Sequence, residues 1–531
     1  MSRRKGLIWF VASFMLISSF LTACSKSGND AQSSPSAAAT VKPTDNKPAT
    51  PIQLKVTALK RPEVTKKYSD LDMVKKLMEG SNVQVDWSLV TADNWGEQKN
   101  LMFASGDMPD ALYGGNVLNS QEIVKYGSQG LLVPLEKLIP LYAPNFNKIL
   151  QKRPEYKKAI TAPDGHIYAL PVIDESKHRD VSDALFINKK WLDEAGLGLP
   201  QTTDDFYNAL KAFKQKDPNR IPFSFMFGNL TYGINSMFGS FGILDSPSHI
   251  TIQNGNVVFA PIQPGYKDGI QYFRKLFAEG LIDPESFTQA FNVYSAKIKD
   301  PKSLGSAVYW STFQNFPELS KSPLVPISPL KGPNGTQLWN RQLTNILAFC
   351  GFAITTANKH PEETLRWIDK SFEEDMSLQM LGGPFGVTQQ LLADGKLKPI
   401  PVPQGQIYAE WRHQYTPGDQ SLYASLQEYG ERQTETTVGV QNKLDQLPLY
   451  APYLPSVENT YPVMLFSSEE VQKLSDISSD LNKFVSQTIT NWIVKGGVEQ
   501  EWDNYIKQLK QLGLDQYVKI YTDAFNRYKK S

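Results

Sequence analysis

Apolar and polar residues alternate with period two at Ile52, Leu54 and Val56, and again at Val83, Val85, Trp87 and Leu89. That spacing predicts two strands with opposite faces in different surroundings. Between them Leu71, Val74, Leu77 and Met78 recur at helical spacing over Ser69 to Met78, and Gly80 can close the helix. A helix around Trp95 to Ala104 and the short apolar run Ala111-Leu112-Tyr113 come next. Strands separated by helices of this length predict a mostly parallel α/β sheet.

The clearest pattern lies between Asp183 and Phe223. Asp183 to Asn188 reads as a strand, and Trp191, Leu192 and Ala195 mark a short helix that Gly196 can cap before Pro200. A second helix starts at Thr202 and Thr203, whose hydroxyls can accept free backbone N–H groups, with Asp204 and Asp205 at the positive helix end. Phe206, Leu210 and Phe213 share its inner face, and Pro218 ends it. Further on, Tyr266 to Glu279 reads as a helix with Ile270, Phe273, Leu276 and Phe277 inward, and Gly305 to Trp310 as a strand. Leu324 to Leu330 is read as a crossing between lobes. Asn345 to Ile354, the most apolar run of the mature chain, predicts a central strand. His360 to Phe372 predicts a helix with Pro361 in its first turn, and Ser467 to Tyr528 reads as largely helical.

The N-terminus has another character. Arg3, Arg4 and Lys5 precede an apolar run, Leu7 to Phe20, shorter than the roughly 20 residues that span a bilayer. Leu21-Thr22-Ala23-Cys24 is similar to a lipobox, so residues 1–23 are read as a signal peptide and Cys24 as the acylated residue. Acyl chains worth about 0.8 kcal/mol per buried CH₂ would hold the chain to the outer membrane surface. Residues 24–51, rich in Ser, Ala, Pro and Thr, cannot bury enough surface to offset ordering and are read as a flexible tether. The remainder exceeds what one core usually holds, which predicts two lobes.

Removing residues 1–23 takes three basic groups and no acidic ones, leaving 52 against 54 and a net charge near −2. Such a balance gives no footprint for nucleic acid. With Cys24 acylated only Cys350 remains, so no intrachain disulfide forms, and its apolar surroundings predict a small buried hydrophobe. No H-E-x-x-H, G-x-S-x-G, Walker A or C-x-x-C motif occurs.

The order strand, N-K-x-W-L-D-x-x-G-L, x-L-P-x-T-x-D-D-F, helix, K-D-P-N, I-P-F from Asn188 to Phe223 resembles the extracellular solute-binding proteins of family 1. The likeness is greatest to their large Gram-positive lipoprotein branch, which includes oligosaccharide and alginate-fragment binders. Gly280-Leu281-Ile282-Asp283-Pro284-Glu285 and the ending around Glu501-Trp502-Asp503 are also similar. The resemblance implies an α/β, two-lobe periplasmic-binding-protein-like fold of type II, with hinged lobes and a ligand cleft. Lobe 1 would hold residues 52–170 and 331–385, and lobe 2 residues 171–330 and 386–531, with Val172 to Arg179 at the hinge and cleft rim. Two departures stand out. Gly382 to Val387 lacks the acid of a G-x-E-G turn, and Asp217-Pro218-Asn219-Arg220-Ile221-Pro222 lacks the acids of a calcium loop, so no metal is expected there.

The resemblance implies a lipid-anchored receptor of an ATP-binding-cassette importer on the extracytoplasmic face. It would be a monomer without cofactor or catalysis, passing an oligosaccharide or other polar solute to permease subunits. Sugars need aromatic faces for their C–H surfaces and fixed polar groups for their hydroxyls. The ligand candidates are therefore Arg61, following the first strand, and Asn116, following Tyr113. Asn229 and Tyr232 in a Gly-rich loop, Trp310 at a strand end, Trp339 with Arg341, and Trp411 beside Arg412 complete the set. A surface glycan-degrading enzyme, or a module presenting ligand to a membrane kinase, remains an alternative at this stage, since a glycosidase needs only two carboxylates placed in space.

Overall fold

Ile52, Leu54 and Val56 bury alternately, with Gln53 and Lys55 outside, and so form a strand, Ile52–Lys60 (β1), lying between Val83–Thr91 (β2) and Ala111–Tyr113 (β3). The computed structural model describes residues 50–300, 302–312, 322–342, 344–406, 408–436 and 438–530. Cys24 and residues 1–49, nearly all of the expected signal and tether, lie outside them.

Further strands are Leu170–Asp174 (β4), Ala184–Asn188 (β5), Ile250–Gln253 (β6), Asn256–Phe259 (β7), Ser306–Tyr309 (β8) and Leu324–Ile327 (β9). They are followed by Ile346–Ile354 (β10), Gln389–Leu391 (β11), Leu397–Pro399 (β12) and Ala424–Ser425 (β13). One six-stranded sheet has the order β13-β4-β10-β3-β1-β2, parallel within β1, β2 and β3, with β10 antiparallel to β3 and β4. A three-stranded sheet has the order β8-β5-β9, and β6-β7 and β11-β12 are hairpins.

Each of the two larger sheets carries its own core. Phe146, Ile173, Phe352 and Trp367 pack on the six-stranded sheet, where the rings of Tyr68, Trp87 and Tyr113 meet edge to face at 5.5–6.3 Å. Phe186, Phe206, Phe273, Trp339 and Tyr450 build the second core, joined by Leu481 and Trp492 of the helix Ser468–Lys495. A third buried cluster, with Leu112, Leu118, Ile123, Cys350 and Ala353, also packs on the six-stranded sheet.

Local signals act as expected around β5. Thr202 accepts from the Asp205 N–H at 3.0 Å and Asp205 accepts from the Thr202 N–H at 3.0 Å, a reciprocal cap on the helix Thr203–Lys216. Gly196, at φ +67°, ends the helix Lys189–Glu194 in the left-handed conformation that a Cβ disfavours.

Two segment assignments need correction. Leu324 to Leu330 does not cross between sheets, because β9 pairs with β5 from Leu185↔Ile327 to Asn188↔Leu324, and Leu330 and Trp339 are buried in the second core. The chain returns later, near Asn345, whose carbonyl accepts from the Asp174 N–H at 2.8 Å. Residues 386–531 do not all belong with the second sheet either. Leu422 to Leu426 join the first core, and β13 pairs with β4.

The loop Asp217 to Pro222 is held by a cation of its own. Arg220 donates to Glu194 at 2.8 Å, and its guanidinium lies 4.1 Å from the centre of the Trp191 ring. Among the described residues no three His, Cys, Asp or Glu side chains gather as a metal site. Arg220→Ala is expected to cost about 1 kcal/mol, the size of a cation–π contact, while a chelator leaves the melting temperature where it was. Calorimetric melts with and without chelator check this, and destabilisation by the chelator would contradict it.

Candidate functional site

Ligands of open α/β sheets sit beyond the carboxyl ends of strands. A cavity of about 450 Å³ lies there, next to the ends of β4 and β13. Its walls include Asp174 to Arg179, Ser425 to Gln427, and the apolar Leu378 and Leu381. The opposite wall includes Val440 and Leu444 of the helix Val438–Tyr450.

Asp174, the last residue of β4, is 2% exposed; it accepts from the Ser176 N–H at 3.0 Å and from Arg179 Nε at 2.8 Å. Burial alone would lower the Arg179 guanidinium, but Asp174 outweighs it and holds the group above its usual range. Glu175 turns away from β4 and is clamped by Arg153 at 2.8 and 3.0 Å, Tyr156 at 2.6 Å and the Gln427 N–H at 2.8 Å. This fixes the segment that carries His178 and Arg179. Burial pushes His178 down to about 4, so it is neutral at pH 7.

Arg412 forms the next wall. Nearly buried, it donates to the Leu381 carbonyl at 2.8 Å and to Asp419 at 3.0 Å, while Arg61 reaches the other Asp419 oxygen at 3.2 Å. Burial alone would raise Asp419, yet Arg412 and Arg61 hold it below the ordinary carboxylate range. Arg61 Nε, Arg412 Nε, His413 Nδ1 and Gln420 Oε1 are buried with no hydrogen-bond partner among the described residues. Arg412 lines the cavity, and an unmet donor there suits a polar ligand. Tyr408 adds an aromatic wall, its hydroxyl donating to the Gly382 carbonyl at 3.1 Å.

The far wall is bound to the second sheet. Lys443 Nζ donates to the carbonyls of Val181 at 2.9 Å and Trp310 at 3.0 Å. Tyr450 donates to the Ile327 carbonyl at 2.7 Å and accepts from the Leu185 N–H at 2.8 Å. Burial pushes Lys443 down to about 8 against the pull of Asp183.

None of the eight ligand candidates from the sequence lines this cavity. Arg61 reaches it through Asp419. Asn116 is exposed beyond β3 at φ +62°, its N–H donating to the Cys350 carbonyl. Asn229 accepts from the N–H groups of Thr231 and Tyr232 at 3.0 and 3.1 Å, which shapes its own turn. Half-buried Tyr232 packs its ring 4.9 Å from Tyr309 and 5.2 Å from Phe291. Trp310 is half-buried with the Lys443 ammonium 5.3 Å from its ring centre, and Arg341 donates to the Pro455 carbonyl at 3.0 Å.

Trp339 and Trp411 require correction. Trp339 is 1% exposed, its indole N–H donating to the Asp183 carbonyl at 3.0 Å, and Trp411 is 6% exposed with its ring against Tyr408. Both are packing residues. The cavity-lining Asp174, Arg179, Tyr408, Arg412 and Asp419 were not among the candidates. The hinge segment Val172 to Arg179 and the position of Arg412 beside Trp411 were visible in the sequence, but their pairing was not.

The profile of the bacterial extracellular solute-binding proteins matches residues 62–370. The chain is 34% identical over 478 residues to the fructooligosaccharide ABC transporter substrate-binding protein FusA of Streptococcus pneumoniae, covering 86% of this chain and 87% of that one. A structure of FusA in complex with kestose aligns with a TM-score of 0.80 at 33% identity, over 90% of this chain and 99% of FusA. Alginate-binding protein AlgQ2, solved without calcium ion, aligns with a TM-score of 0.71 at 26% identity, over 90% and 98% of the two chains. By this profile match and the likeness to FusA, the chain belongs to the bacterial extracellular solute-binding proteins, which capture a solute rather than transform it.

Proposed function

We propose that this chain is the receptor of an ABC importer and captures an oligosaccharide between two hinged lobes, one built on each of the larger sheets. The observation that carries this reading is the double attachment of the cavity. One wall belongs to β4, β13 and the Arg412–Asp419 pair, and the other to a helix fastened by Lys443 and Tyr450 to the β8-β5-β9 sheet. A ligand touching both walls favours the arrangement in which they are close, so binding shifts the population toward a closed form that permease subunits read. The half-buried Trp310 and Tyr232 and the exposed Asn116 stand as further contacts for a longer sugar.

The solved complex of FusA with kestose makes kestose the first probe. A thermal-shift screen across an oligosaccharide panel is expected to give saturable stabilisation by at least one sugar, with a smaller radius of gyration in solution scattering. Stabilisation without compaction would remove the hinge from this reading, and no response to any sugar would remove the ligand class. We further propose that Cys24 anchors the chain to the membrane by its acyl chains; a Cys24→Ala chain that stays membrane-bound would refute that.

A further inference from the structure

The guanidiniums that line the cavity are committed to carboxylates before any ligand arrives. Arg179 is held by Asp174 at 2.8 Å and Arg412 by Asp419 at 3.0 Å, with Arg61 on the second Asp419 oxygen at 3.2 Å. The lining carboxylates are Asp174, Glu175, Asp419, Glu431 and Glu435. The lining cations are fewer: Lys177, Arg179 and Arg412.

Resting on the oligosaccharide reading above, we infer that this site selects neutral oligosaccharides and rejects uronic-acid oligomers, with Asp174 and Asp419 as the residues that set the choice. A free guanidinium fork is the natural partner of a sugar carboxylate, which it grips through two parallel N–H bonds. Here internal carboxylates already occupy part of each fork. A uronate approaching Arg412 or Arg61 meets Asp419, and one approaching Arg179 meets Asp174. It therefore brings like charges together in a partly desolvated space, or leaves a displaced carboxylate unpaired. A hydroxyl carries no such penalty. It accepts from an N–H unpartnered among the described residues, that of Arg412 Nε, and donates to a remaining carboxylate lone pair, so a paired Arg and Asp offer it both roles side by side.

The test is titration calorimetry of the full chain in mild detergent. The neutral probes are kestose, maltotriose and 1,4-linked galactotriose, and the acidic probes are trigalacturonate and trimannuronate. At least one neutral trimer is expected to saturate, with every acidic trimer at least about 30-fold weaker. Asp174→Asn and Asp419→Asn, each checked for folding by circular dichroism, are expected to narrow that ratio at least about fivefold by admitting the acidic trimers. An acidic trimer binding as tightly as the best neutral one overturns the inference while leaving the oligosaccharide receptor intact. Folded Asn variants with the wild-type ratio also overturn it. Silence toward both sets, with saturation by a different polar solute, overturns the oligosaccharide reading and this inference together.

Discussion

Arg412→Ala is expected to weaken oligosaccharide binding at least about 30-fold, or about 2 kcal/mol, while the protein keeps its fold. The side chain lines the cavity and donates to the Leu381 carbonyl, to Asp419 and to His413 Nε2, while its Nε meets no acceptor among the described residues. Truncation removes donors that a sugar hydroxyl can use and leaves Asp419 with Arg61 alone. Calorimetry against the sugar found by screening measures the loss, and an affinity within threefold of wild type would remove Arg412 from the site.

The same variant should change the pH profile in a definite direction. In the wild type, Asp419 is held below the ordinary carboxylate range, so the stabilisation from its ionised form is complete above the unfolded-state pKa and fades as pH falls through the lower folded-state value. Without Arg412, one of the two cations opposing burial is gone, and the acid limb of binding moves up in pH. A profile that moves the other way, or stays put, would show that Asp419 takes no part.

Trp339→Ala is expected to destabilise the second core by about 3–5 kcal/mol, with little change in the affinity of the folded protein. The indole fills space beside Tyr450, ring centres 5.3 Å apart, and its N–H satisfies the Asp183 carbonyl. Truncation opens a cavity and leaves that carbonyl unpaired inside. If the body melts as one unit, the fall in Tm is roughly 3–5 °C, set by an unfolding entropy proportional to chain length. A variant that melts normally yet loses sugar would restore Trp339 to the ligand set and contradict its placement in the core.

How much could be read from the chain depended on whether the cause was local. Thr202 with Asp205, Gly196 and Pro218 are start and stop signals that act within a few residues, and the helices they bound came out as expected. Nothing local in Leu324 to Leu330 tells which sheet it joins, because its pairing with β5 is a long-range contact. β9 tolerates Pro326 because it is an edge strand, where a missing N–H breaks no ladder. The aromatic candidates were chosen for their neighbours in sequence, Trp339 for Arg341 and Trp411 for Arg412. Burial depends on neighbours in space, and those tryptophans face inward. The cavity wall joins Asp174, Arg179, Arg412 and Asp419, with Arg61 paired to Asp419, across most of the chain. No spacing rule connects them, and only the folded sheet ends bring them together.

Cys350 is 0% exposed in β10, and burial pushes its thiol up to about 12. Among the described residues, a sulfhydryl this unreactive leaves close to a blank background for fluorescent dyes. Cysteines introduced one on each side of the cavity would take up a donor and an acceptor with little competition. Single molecules could then be watched opening and shutting, and the dwell times would show whether the solute waits for a rare shape or helps to make it.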